Sequence, residues 1–114
     1  MDIKQYFFDY ESTYIPEEKV MQITEKMLDD LYATANDTEQ FNVFFHLQNE
    51  LFYLLNKEMN KEAAYISYLI SYYLFVALTP PHSETLAQEF AKEAIKLDSC
   101  PKYLEWLEEV KAGN

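Results

Sequence analysis

His46 and Glu50 stand four residues apart, the spacing that sets an imidazole and a carboxylate on one face of a helix where both can reach a metal ion. A first-row metal wants three or four such ligands. No further Cys, His or carboxylate constellation stands at a matching spacing, so no metal is expected and His46 reads as a half-buried or surface histidine. Cys100 precedes Pro101 at a helix entrance, a position that favours a thiolate. Nucleophilic catalysis would also need a general base, and the sequence places none beside it. His82 follows two prolines and reads as a turn residue. The single glycine, Gly113, is penultimate, which rules out a glycine-rich phosphate loop. The residues therefore describe a non-enzymatic chain with no cofactor.

Charge is the next source of function. Twenty Asp and Glu oppose nine Lys, there is no Arg, and the net charge is −11. Such a surface repels nucleic acid and anionic membranes and attracts a basic partner. The missing guanidinium removes the usual fork for gripping phosphate or carboxylate. Two acidic groups stand out: Glu18, Glu25 and Asp29, continued by Asp30, Asp37 and Glu39; and Glu105, Glu108 and Glu109 opposite the apolar stripe of the last helix. Ten tyrosines and one tryptophan supply interface-forming side chains, among them Tyr103 and Trp106. Those two residues and the acidic groups are the candidate partner-binding set.

The elements that must position these side chains are helices. One Gly among 114 residues leaves few tight turns. Residues 63–83 carry no charged side chain, but the strictly apolar part, 63–78, is shorter than the roughly 20 residues of a membrane span, and six hydroxyls are spread along it. Ile66, Leu69, Ile70, Tyr73, Leu74 and Ala77 form one helical stripe, and Ala64, Ser67 and Ser71 a second line of small residues. That pattern predicts a central helix approached from two sides. Around it the spacing predicts a short opening helix with Ile3, Tyr6, Phe7 and Tyr10; a second from Pro16 to about Ala35; a third capped by Asp37 that carries Phe41, Phe44, Phe45, Leu51, Phe52 and Leu55 and is apolar on most faces after Glu50; a hairpin near Asn60, preferred to one helix from 38 to 78 because that would outreach a small domain; a helix capped by Ser83; and a last one opened by Pro101. The expectation is an all-α, single-domain bundle of five to six antiparallel helices. A lone cysteine and a start without a basic and then apolar leader point to the cytoplasm.

Residues 86–99, LAQEFAKEAIKLDS, resemble the second helix of a tetratricopeptide repeat: Ala87 and Ala94 match its small positions, and Ile95, Leu97 and Asp98 its tail. Ala91 and Ser99 depart from that pattern, and no second copy stands 34 residues upstream. The resemblance implies helical-hairpin character in the C-terminal half and, as one reading, an adaptor or export chaperone holding a peptide between hairpins. In size, acidity, aromatic content and absence of a catalytic set, the whole chain resembles the compact acidic immunity proteins that bacteria pair with nuclease toxins, including those of contact-dependent growth inhibition. That resemblance implies an inhibitor covering the basic active site of a toxin domain.

Overall fold

The computed structural model describes residues 2–8 and 14–113, and these form seven α-helices with no strand among them. They are α1 (Lys4–Phe7), α2 (Glu17–Val20), α3 (Glu25–Thr34), α4 (Asp37–Asn56), α5 (Asn60–Tyr72), α6 (Ser83–Leu97) and α7 (Pro101–Ala112). The radius of gyration, 13.2 Å, matches the roughly 13 Å of a packed chain of this length. No helix among the described residues is long and apolar enough to cross a membrane. Tyr10, expected on the opening helix, lies outside the described residues.

The first part of the uncharged segment is the interior, while Val76, Thr79, Pro81 and His82 are exposed. Every residue from Ala63 to Ser71 is buried, and α5 runs on through a π-helical stretch, Tyr73–Leu78, in which Tyr73, Leu74 and Phe75 are also buried. The small-residue line has its predicted use. Ala87, Ala91 and Ala94 of α6 are fully buried, and small side chains on α5 and α6 let the two backbones close up. At that distance Ser67 Oγ donates to the Phe90 carbonyl at 2.7 Å and Ser71 Oγ to the Ala87 carbonyl at 2.6 Å. Trp106 Nε1 of α7 donates to Ser71 Oγ at 2.7 Å, so one serine ties three helices together.

Several boundaries differ from expectation, each for a local reason. The predicted second helix breaks at Met21–Thr24, because Val20 and Ile23 are both fully buried and Thr24 starts a new helix, its side chain accepting the Met27 N–H at 3.2 Å. Pro16 is the N-cap of α2, one position earlier than the first helical turn. Asn36, not Asp37, caps α4: its side chain and that of Glu39 each accept the other's backbone N–H at 2.9 Å. Gln40 of α4 serves the end of α3, donating to the Tyr32 and Ala35 carbonyls where that helix stops. His82, and not Ser83, is the N-cap of α6, in a left-handed conformation with no side-chain cap bond. The hairpin between α4 and α5 is present, but it turns at left-handed Glu58 while Asn60 is already helical.

With its one glycine at position 113, the chain closes its internal turns with Glu58 (φ 59°), Thr79 (φ 43°) and His82 (φ 64°). A β-branched residue in the left-handed region is strained by about 1 kcal/mol or more. Thr79→Gly is expected to raise the unfolding free energy by about 1 kcal/mol in urea titrations. Ser71→Ala, which leaves the Trp106 indole N–H buried without an acceptor, is expected to lower it by about 2 kcal/mol in the same measurement.

Candidate functional site

Tyr68 and Tyr72 stand one turn apart on α5 and reach the carboxylates of α3, which are likewise one turn apart. The Tyr68 hydroxyl donates to Glu25 Oε2 at 2.6 Å, and the Tyr72 hydroxyl donates to Asp29 at 2.8 Å. From the other side, α7 brings Lys102 Nζ to 3.1 Å from Glu25 Oε2 and 4.8 Å from the Tyr68 ring centre. Tyr103 stacks on Tyr68 at 5.4 Å, while Trp106 meets Tyr68, Tyr72 and Phe75 at 5.6–5.8 Å. The result is an aromatic seam between α3, α5 and α7 edged with carboxylates. Burial resists the charge on Glu25, but hydrogen bonds from Tyr68, its own backbone N–H and Lys102 outweigh it and hold the carboxyl below its ordinary value. Burial, and then the Asp29 bond, pushes the Tyr72 phenol up to about 12.

The seam unites part of the predicted set. Glu25, Asp29, Tyr103 and Trp106 come together, and Glu105 and Glu109 are exposed on α7. Tyr103 and Trp106 are only 3% and 9% exposed, so they shape the seam from beneath. Asp30 is exposed and paired with Lys26 at 2.9 Å, and Glu108 lies 3.8 Å from Lys111. Glu18 is exposed on α2. Asp37 and Glu39 lie beyond the far end of α3, where Glu39 is held in the α4 cap, so they extend the charge but not the seam.

Two features were not legible from spacing. Phe41, Phe45 and Phe52, three of the apolar residues that mark this helix in the sequence, are 49%, 55% and 60% exposed and fall within about 40° on α4. Val43, Leu47, Glu50, Leu51 and Leu54 take the buried face instead. After Glu50 this helix is apolar on most faces, so hydrophobicity alone does not choose between them.

The second feature is a cavity of about 390 Å³ lined by Tyr6, Phe7, Tyr14, Ile15, His46, Asn49 and Glu50. Here the His46–Glu50 pair meets α1 and the residues leading into α2. Glu50 is 1% exposed; its Oε1 accepts the Ile15 N–H at 2.8 Å and its Oε2 has no hydrogen-bond partner among the described residues. Burial pushes its carboxyl up to about 7 against the Ile15 bond, with the Glu17 charge adding to the rise. His46, packed edge-on against Phe7 at 5.9 Å, is pushed down by burial and stays neutral near pH 7. Glu17 is engaged by Lys57, whose ammonium lies over the Tyr53 ring, and by the Tyr53 hydroxyl at 3.1 Å; these hold its carboxyl near 2. No group of three or more His, Cys, Asp or Glu able to hold a metal occurs among the described residues.

Compared with models of protein families, with curated proteins and with solved structures, the chain has no match.

The Glu50 carboxyl also leaves a pH signature. Because its folded value of about 7 lies above the ordinary 4.5, the folded state binds the proton more tightly, and Glu50 costs stability increasingly from pH 4.5 to 7 and constantly above. Glu50→Gln, whose amide oxygen can still accept from Ile15, is expected to gain up to about 3 kcal/mol relative to wild type between pH 4.5 and pH 8, read from urea titrations at both pH values.

Proposed function

We propose that the chain is a non-enzymatic inhibitor of the immunity type, using its acidic seam to cover a basic site on a partner protein such as a nuclease-type toxin domain. The observation that carries this reading is the pair of α3 carboxylates, Glu25 and Asp29, held by the Tyr68 and Tyr72 hydroxyls, with Glu105 and Glu109 exposed on α7, the helix whose Lys102 reaches Glu25. Carboxylates already anchored lose little side-chain entropy on binding. A net charge of −11 accelerates encounter with a basic surface, and a site built to hold phosphate is such a surface.

The test is co-expression with the products of adjacent genes, followed by titration of any complex at 50 and 500 mM NaCl. The expected result is a complex that silences the partner's activity and weakens about tenfold or more at high salt. The double variant Glu105→Lys, Glu109→Lys, which touches no hydrogen bond of the seam, is expected to weaken it by a similar factor at low salt. Failure to form a complex, or a complex indifferent to both salt and these charges, refutes the reading.

A second reading, a helical adaptor or export chaperone, is favoured by the exposed row Phe41, Phe45 and Phe52. An amphipathic segment laid along that row would bind with little salt dependence and would be lost in Phe45→Asp, separating it from the first.

A further inference from the structure

The cavity between α1, α4 and the residues leading into α2 is lined by a buried carboxyl, one oxygen of which has no hydrogen-bond partner among the described residues. Glu50 lines it, buried to 1% exposure, with Oε1 committed to the Ile15 N–H and Oε2 without a hydrogen-bond partner among the described residues. A buried carboxyl oxygen left so costs free energy on the order of 1–3 kcal/mol, a cost removed by a ligand that donates to it. The charge that Glu50 senses is a second anion, Glu17, whose own lysine, Lys57, is already engaged with it. The potential in the cavity therefore favours a cation. The walls favour one carried on a hydrocarbon chain. Tyr6, Phe7 and Tyr14 supply aromatic surface, which attracts ammonium groups through the ring quadrupole and covers methylenes. His46 does not oppose a cation, since burial keeps it neutral. The Asn49 side chain offers a further acceptor on the same wall. At about 390 Å³ the space lies at the small end of ligand pockets, which run from about 300 to 1,000 Å³.

We propose that this cavity binds an alkylammonium group, its N–H donors directed at Glu50 Oε2 and its methylenes packed between Tyr6, Phe7 and Tyr14. Two sources carry that chemistry: a free aliphatic amine, and a lysine side chain offered by a partner. The site stands apart from the acidic seam, so it survives or fails independently of the inhibitor reading.

The experiment is calorimetric or ligand-observed NMR titration of the full chain at pH 8 with n-pentylamine, with 1-pentanol as its neutral counterpart, and with Nα-acetyl-lysine N-methylamide. Pentylamine is expected to bind about tenfold or more tightly than pentanol, and Glu50→Gln is expected to abolish the difference. Protons compete for the same carboxylate, so pentylamine should bind about 100-fold more weakly at pH 5 than at pH 8. Of the other titratable groups about Glu50, Glu17 is ionised throughout, whereas a proton gained by His46 on α4 would weaken amine binding in the same direction; the dependence belongs to Glu50 where Glu50→Gln, which keeps His46, removes it. Binding of pentylamine alone assigns the site to a free amine; binding of the lysine mimic as well assigns it to a partner's side chain. Equal binding of amine and alcohol, no binding of either, or amine binding retained in a folded Glu50→Gln chain overturns the proposal; the first two use wild-type protein and do not depend on how the variant folds.

Discussion

Burying a helix that carries six hydroxyls obliges its neighbours to provide six acceptors, and much of the arrangement of this protein follows from meeting that demand. Tyr65 donates to the Ile23 carbonyl, Ser67 to that of Phe90, Tyr68 to Glu25, Ser71 to the Ala87 carbonyl, Tyr72 to Asp29 and Tyr73 to the Gln40 carbonyl. The acceptors come from the break before α3, from α3, from the start of α4 and from α6. An unmade hydrogen bond in the interior costs about 1–3 kcal/mol, so each pairing selects one placement of its helix over a slid or rotated one. Apolar burial drives the collapse, and the hydroxyls give it register.

The same constraint makes the acidic edge. Glu25 and Asp29 are acceptors for α5 as well as surface charges, so two carboxylates of the candidate partner-binding set are held against the core by phenols. Anchoring fixes their position and keeps Glu25 charged to lower pH. The break between α2 and α3 serves the core too, because it frees the Ile23 carbonyl that Tyr65 uses.

Glu50 is the exception. It sits on the buried face of α4 among Leu47, Leu51 and Leu54, where a leucine would pack at less cost, and one of its oxygens has no partner among the described residues. A buried carboxyl lining an aromatic cavity is, among the described residues, where this structure departs from the rule that its interior otherwise follows.

Helical class, the burial of residues 63–71 and the line of small residues were determined by the sequence, because period, absence of charge and scarcity of glycine are local properties that survive any packing, while the choice of a hairpin over one helix from 38 to 78 stayed open to it. Charge sign was equally plain. The tertiary structure alone decided which face of an apolar helix went inward, so that Phe41, Phe45 and Phe52 were left outside. It also decided that Tyr103 and Trp106 lie beneath the surface and that His46 and Glu50 share a cavity rather than an exposed face. Partners 35 to 43 residues apart in the chain make those choices, as Trp106 with Ser71, Ile15 with Glu50 and Tyr68 with Glu25 show. Spacing along one helix says which side chains share a face; what that face meets depends on where the other helices come to rest.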